Sequence, residues 1–368
     1  MQRLFPLGGP VAPEDVVDRE DFIEELATRL HEGQSVVLAG PRRIGKSSVA
    51  LEVLRRLAER GTKTVALNLE ETSTPREFAA KLATECLGHL SRGARAVQSA
   101  ESALGELLRG TSLRAKLLDV EVEALRHPAD RSTEEYLDQA LSLPEAVAAR
   151  THSQMVVLLD EFQITASLGG EALMRRMRGH FQQQRHTAFL FLGSAMSLMG
   201  EMFGQSRRPF YRFATPLDLP PVSDDAWRPY LTTRYRARGL DIGPDAVDRM
   251  LAKTGGHPYD TMQVAFEAFL LAQDTSPTVD VPIVEAGYAM ALEHLATTFE
   301  YDVERCGATA RMLLARVAKH QPLYEDVSSS DTARRAIRSL VEGGYLQRLG
   351  HGRYAFREPM LADHLRGW

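Results

Sequence analysis

Gly40-Pro41-Arg42-Arg43-Ile44-Gly45-Lys46-Ser47 is the stretch whose reading decides the fold. Two glycines frame four residues and are followed by a lysine and a hydroxyl. This is the pattern of a loop whose backbone N–H groups close around phosphate oxygens, with Ser48 continuing into the helix behind it. Lys46 then reaches the β and γ phosphates, and the Ser47 hydroxyl ligates Mg²⁺. Upstream, Ser35-Val-Val-Leu-Ala39 is a short apolar run of the kind that forms a buried parallel strand. Downstream, Ala50, Val53, Leu54 and Leu57 recur at helical spacing until Gly61. Strand, cradle and helix are contiguous.

Further out, the alternation continues. Thr64 to Leu69 reads as a second strand, and Ser73 or Thr74 before Pro75 and Glu77 reads as a helix start. Met155 to Asp160 and Thr187 to Leu192 are further apolar runs, separated by a helical stripe of Leu173, Met174, Met177 and Phe181. Before the cradle, Phe22, Ile23, Leu26 and Leu30 mark an amphipathic helix, with Asp18 as its expected N-cap. The expected fold is α/β, a P-loop NTPase parallel sheet, occupying residues 1–222 with a helical insertion over 85–150. A helical lid over 223–298 follows, interrupted at Gly255-Gly-His-Pro258. A winged-helix-like region over 299–368 comes last, with helices over 310–319 and 331–342 and a hairpin turning at Gly350 to Gly352.

The second chemical element is Val156-Val-Leu-Leu-Asp160-Glu161. An apolar strand delivers Asp160 to the Mg²⁺ shell and Glu161 to polarise an attacking water. Gln163 follows and reads either as a group that orients a water or a strand end or as a solvated turn residue, the last being favoured.

Composition narrows the rest. The chain has 368 residues, 44% hydrophobic and 25% charged, enough for two or three ordinary globular domains. Cys86 and Cys306 lack metal-ligand spacing, which points to a reducing compartment. No run approaches eighteen apolar residues and the first residues lack a signal peptide's apolar stretch, so a soluble cytoplasmic protein without a membrane partner is expected. The formal charge of -5 argues against a wholly nucleic-acid-binding surface. Residues 301–368 hold eleven Lys and Arg against eight Asp and Glu, a balance of +3. Arg334, Arg335 and Arg338, with Arg353 on the hairpin, are available for phosphates, yet only Gln321 to Ser330 separates the two helices. Protein contact is favoured over DNA there. Arg175, Arg176, Arg178 and Arg185 read mainly as an exposed helix face.

Taken in order, these landmarks resemble the archaeal-type ATPases of the STAND class, relatives of the AAA+ proteins. The resemblance rests on Asp18-Arg19-Glu20, the Gly40 to Ser47 loop, Leu159-Asp-Glu-Phe-Gln163, Leu192-Gly-Ser-Ala-Met-Ser-Leu-Met199, Pro209-Phe-Tyr-Arg-Phe-Ala214 and Gly255-Gly-His-Pro-Tyr259. It implies ATP as ligand and a nucleotide-driven switch, with a homo-oligomer among its partners; the arginines of the C-terminal region support an ATP-controlled DNA-binding regulator as the alternative. It also implies that Ser194 is the polar sensor beside the γ-phosphate, and that the chain near Arg19, His257 and Pro258 closes over the base. The family usually shows Pro-Leu-Tyr-Gly-Arg where this chain has Pro209-Phe-Tyr-Arg212. The glycine is missing, and Arg207 and Arg208 compete with Arg212 for the role of a transition-state arginine acting in cis or across an oligomer interface.

Overall fold

The computed structural model describes residues 3–90, 132–273, 275–323, 330–350 and 352–367. Five strands, β1 (Val36–Ala39), β2 (Lys63–Asn68), β3 (Met155–Asp160), β4 (Thr187–Gly193) and β5 (Thr215–Leu217), form one sheet in the order β2-β3-β4-β1-β5. All of its pairings are parallel. Alternate residues of a strand point to opposite faces, and both faces are buried. On one, Val36, Leu38, Val156, Leu158, Leu190 and Leu192 pack under helices α1 (Glu20–His31) and α2 (Lys46–Glu59). On the other, Val37, Val157, Leu159, Phe189 and Phe191 meet α3 (Pro75–Gly88), α4 (Thr133–Thr151), the short α5 (Thr165–Leu168), α6 (Gly170–Phe181) and α7 (Met196–Gly204).

The four strands expected from the sequence are present. The fifth carries Pro216 in a three-residue run, too short and too proline-marked to be read as a strand. Most of the 85–150 insertion lies outside the described residues. Its ends are helical: α3 reaches Gly88, and α4 opens with a Ser132–Glu135 capping box. Asp18 does not cap α1. Its φ is +56°, and its Oδ2 accepts the Ser223 backbone N–H at 2.8 Å, which ties the entry of the sheet layer to the start of the helical half.

That half comprises α8 (Asp224–Arg236), α9 (Pro244–Thr254), α10 (Pro258–Ala272), α11 (Val281–Glu304), α12 (Ala308–Ala318), α13 (Ser330–Glu342) and α14 (Pro359–Arg366). The parallel pair β6 (Asp241–Ile242) and β7 (Thr278–Val279) and the antiparallel pair β8 (Leu346–Gly350) and β9 (Arg353–Phe356) complete it. The junction expected at 298/299 falls inside α11. One apolar core, from Trp227 and Tyr235 through Leu295, Phe299 and Val303 to Leu340 and Leu361, runs across it. Leu4 and Phe5 belong to that core, with the Phe5 ring 5.3 Å from Tyr235, so the N-terminal segment runs from the helical half to the sheet. A helix between α12 and α13 would fall partly on 324–329, outside the described residues.

Candidate nucleotide site

The turn between β1 and α2 is built for close approach to an anion. Gly45 holds φ at +94°, and Arg43 holds +65°, a conformation that costs a side-chain-bearing residue on the order of 1 kcal/mol. The loop is pinned to the sheet by the Gly40 N–H, which donates to Gly193 O at the end of β4 (3.2 Å). Lys46 is 6% exposed and its Nζ donates to Gly40 O (2.8 Å) and Pro41 O (2.6 Å). Burial pushes its pKa down to about 8, against the opposing pull of Glu161 and Asp160. Ser47 Oγ donates to Asp160 Oδ2 at 2.8 Å, so the hydroxyl after the lysine and the acid ending β3 meet, as their sequence pattern requires. Burial raises the Asp160 pKa, partly offset by Ser47 and by the Glu161 N–H, which Oδ1 accepts at 2.8 Å.

Glu161 has φ of +51° and turns the chain out of β3 into a 3-10 turn whose first residue, Phe162, is buried. Phe162 lies 4.7 Å from Phe191 and 5.1 Å from Phe210, ring to ring, within an aromatic cluster that fixes this turn. The Glu161 side chain meets β4's end: Ser194 Oγ donates to Glu161 Oε2 at 2.8 Å. Gln163 Nε2 contacts the same oxygen and also reaches Ser194 Oγ at 3.3 Å. Gln163 is thus no solvated turn residue; its Oε1 is buried.

A cavity of about 510 Å³ opens over the loop. Arg42, Arg43, Ile44, Gly45, Lys46, Ser47, Ser48 and Glu161 line its floor. Leu7 to Val11, Val16, Val17, Arg19, Trp227, Pro258, Tyr259 and Met262 wall it further out. The N-terminal strap is held by Val11 N–H donating to Ser48 Oγ (3.1 Å). Arg19 is 4% exposed, and its Nη1 is buried with no partner among the described residues. Burial lowers its pKa to about 10, opposed by Asp18. An arginine nitrogen buried without an acceptor in a cavity wall fits a ligand that brings one. Mixed apolar walls above a cationic, glycine-hinged floor fit a base above a polyphosphate.

Two predicted residues sit elsewhere. The His257 ring caps α10, with Nδ1 3.4 Å from Asp260 N and 3.3 Å from Asp260 Oδ1, so only its neighbours Pro258 and Tyr259 line the cavity. Arg212 is exposed, lies over the Tyr211 ring (5.2 Å) and does not line the cavity. Its φ is +54°, a glycine-type conformation. Arg175, Arg176 and Arg178 pair within the helical layer, with Glu171 (2.8 Å), Asp138 (2.6 Å) and Gln182 (2.8 Å) respectively.

Sequence reading missed a buried polar cluster beside the cleft. Asp260 is fully buried, and apart from the 3.3 Å approach of His257 Nδ1 to Oδ1 its carboxylate oxygens have no hydrogen-bond partner among the described residues. Glu358, at the N-terminus of α14, has a buried Oε1 in the same state. Its pKa is pushed up to about 7 by burial and by the Asp260 charge, against His257 and Arg43. Burial depresses the His257 pKa, but Asp260 and Glu358 outweigh this and leave it raised. Arg43 itself stacks over Tyr259, 4.6 Å from the ring centroid. A carboxyl whose folded pKa is raised contributes stability below its unfolded value, about 4.5, and loses it as pH climbs through about 7. His257, also raised, loses its share as pH rises through its folded value. The thermal midpoint therefore falls between pH 5.5 and 8. Glu358→Gln flattens that fall and exceeds the wild type at pH 8 in paired melting curves; an unchanged slope would contradict the assignment.

A parallel sheet in this strand order, with a glycine-framed loop between β1 and α2 and an acidic pair at the end of β3, defines a P-loop NTPase. The chain belongs to the family described as an ATPase domain predominantly from Archaea, which matches residues 16–260. It binds ATP and is an ATPase. Among solved structures it is similar to the Walker-type ATPase paby2304 of Pyrococcus abyssi, at 18% identity and a TM-score of 0.70, covering 99% of this chain and 100% of that one. It is also similar to the Aeropyrum pernix ORC2 protein in ADPNP-ADP complexes, at 14% identity and a TM-score of 0.61, covering 100% and 97%. The Aeropyrum pernix ORC1 protein in complex with DNA follows at 17% and 0.51, covering 96% and 94%. These are likenesses of fold. No curated protein matches the sequence. Among the described residues no helix is long and apolar enough to cross a membrane.

Proposed function

We propose that this ATPase is a molecular switch of the STAND type, in which the state of the nucleotide repositions the helical lid and a C-terminal winged-helix module. One observation carries the reading. The turn Gly343-Gly344 between α13 and β8 rests on the phosphate loop: a Cβ added to Gly344, whose φ is +81°, would lie 3.2 Å from Pro41 Cγ and 3.3 Å from Met196 Sδ. Pro41 belongs to the cradle, and Met196 follows the candidate sensor Ser194 by two residues. A change in phosphate contacts at the loop is thus felt directly by the C-terminal module.

In this reading Lys46 and the loop amides hold the β and γ phosphates, and Arg19, Trp227 and Pro258 close around the base. Ser47 and Asp160 would hold Mg²⁺. A serine hydroxyl and one carboxylate suit an ion that takes the rest of its shell from water and phosphate, and among the described residues no cluster of three His, Cys, Asp or Glu competes for it. When bound, the ion neutralises charge on the phosphates. Glu161 takes the proton of the attacking water. Arg208 pairs with Glu201, whereas Arg207 and Arg212, both exposed after α7, are open to the cleft of a neighbouring copy.

At the C-terminal module, Ala333, Ile337 and Leu340 of α13 are buried while Arg334, Arg335 and Arg338 are exposed. The short interval from Gln321 to Ser330 between α12 and α13, set against a balance of only +3 over residues 301–368, supports a protein partner over DNA. Amide hydrogen exchange with ATP and with ADP tests the switch. Protection over residues 340–346 and over Pro41's neighbours is expected to differ between the two nucleotides. Identical exchange there would sink the switch. Duplex DNA added at 50 and 200 mM salt is expected to leave α13 unprotected; protection that vanishes at the higher salt would favour the DNA-binding regulator instead.

A further inference from the structure

We propose that Gln163 is a positioning residue for hydrolysis: its side-chain amide, together with Ser194, fixes one oxygen of the Glu161 carboxylate and leaves the other to receive the proton of the attacking water. The inference rests on the reading of Glu161 as the base.

A glutamate on a turn has three side-chain torsions to restrain, and a general base must present its oxygen within hydrogen-bond reach of one water. Glu161 starts from an unusual place, a left-handed residue at the end of β3. Two donors then meet on its Oε2, the Ser194 hydroxyl at 2.8 Å and the Gln163 amide. A carboxylate only accepts, so the face of Gln163 turned toward it is the nitrogen. Gln163 Nε2 also lies 3.3 Å from Ser194 Oγ, which closes a triangle of three side chains. Among the described residues nothing donates to Glu161 Oε1, and Glu161 lines the cavity.

The seat of the amide is built in. Gly193, the last residue of β4, has no side chain; a Cβ there would lie 2.8 Å from Gln163 Oε1 and 2.4 Å from Met199 Cγ. The glycine leaves room for the amide to lie against the strand end, where its Oε1 is buried without a donor. A polar group placed at that desolvation cost for a turn alone would be poorly used, since the Phe162 cluster already fixes the turn. The triangle also joins sensing to chemistry. Ser194 follows the strand end that accepts the Gly40 N–H (3.2 Å), so a γ-phosphate that draws the serine hydroxyl away leaves Gln163 as the remaining tether of the base.

The test is a double-mutant cycle on the full chain, read by single-turnover phosphate release and by ATP affinity from displacement of a fluorescent ATP analogue. Gln163→Leu is expected to slow release about tenfold with ATP affinity within about twofold of wild type. Gln163→Glu keeps the size, replaces the donor by a second carboxylate beside Glu161, and is expected to slow release further; it also serves if the leucine variant does not fold. Placed in a Glu161→Gln background, Gln163→Leu should add nothing, because there is no base left to position. Wild-type release in the single variants, a parallel loss of ATP affinity, or the same tenfold cost in both backgrounds would each overturn the inference while leaving the base in place. A wild-type rate in Glu161→Gln alone overturns the base reading, and this inference with it.

Discussion

Glu161→Gln lowers phosphate release at saturating ATP by about a hundredfold or more while ATP affinity holds or tightens slightly. Among the described residues three carboxylates line the cavity, those of Asp15, Glu70 and Glu161. Asp15 is buried and committed: Tyr230 donates to it at 2.7 Å, and Arg234 pairs with the same oxygen. Glu70 lies about half in solvent beside Arg42, at 3.9 Å, on the turn after β2. Only Glu161 extends from the residue after the Ser47-linked Asp160 and is braced at the strand end that contacts the loop. Glutamine keeps its size and loses the ability to take a proton. It also removes a negative charge beside the triphosphate, so binding has no reason to weaken. Phosphate release and retention of labelled ATP, measured on one preparation, separate the two effects; release at the wild-type rate would sink the assignment, and Glu70→Gln, expected to keep most of the activity, is its control.

How much of this was legible in the residues depends on the range of the interaction. The loop, β3 and their acids are local patterns, each with its physics inside about eight residues, and they lie where the sequence puts them. The Ser47–Asp160 bond spans 113 positions yet was still readable, because each partner sits at a fixed offset from a strand that could itself be recognised. The Glu358 cluster was not readable. It joins α10 to α14, two helices whose packing no local signal specifies, and its members look like an ordinary cap and an ordinary helix start. Arg212 was read from its place in a motif, and neither its φ of +54° nor its exposed position off the cavity has a local sequence signal. Gln163 failed because a polar residue in a turn is solvated by default, and only the missing side chain of Gly193, thirty positions later, gives it a buried seat.

Lys46→Ala should abolish the stabilisation that ATP gives while leaving the nucleotide-free protein about as stable as before. In the absence of ligand the ammonium is held by two backbone carbonyls, at 2.8 and 2.6 Å, in a site 6% exposed. Burial keeps its folded pKa near 8, below the unfolded value of about 10.5. The folded protein therefore sheds a proton that the unfolded chain keeps between those values. Nucleotide-free stability accordingly rises with pH from about 8 to 10.5, and below pH 8 the full penalty for the buried charge is present. Alanine removes that penalty along with the two hydrogen bonds, and the opposing losses leave the melting temperature within a few degrees. With ATP the balance differs. The lysine supplies charge-assisted bonds of about 1.5–3 kcal/mol each to phosphate oxygens, so losing two of them weakens binding by about a hundredfold or more. At an ATP concentration near one hundred times the wild-type Kd, the wild type gains about 2.7 kcal/mol and its midpoint rises by several degrees, whereas the variant gains almost nothing. The same lysine gives binding a pH dependence of definite sign: ATP affinity is flat below about pH 8 and falls above it, because the ammonium must be charged to hold phosphate. Lys46→Arg, charged throughout, removes that fall. Melting curves with and without ATP at pH 7 and pH 9 read both effects together, and an undiminished ATP shift in the alanine variant would show that the loop does not hold the nucleotide through this residue.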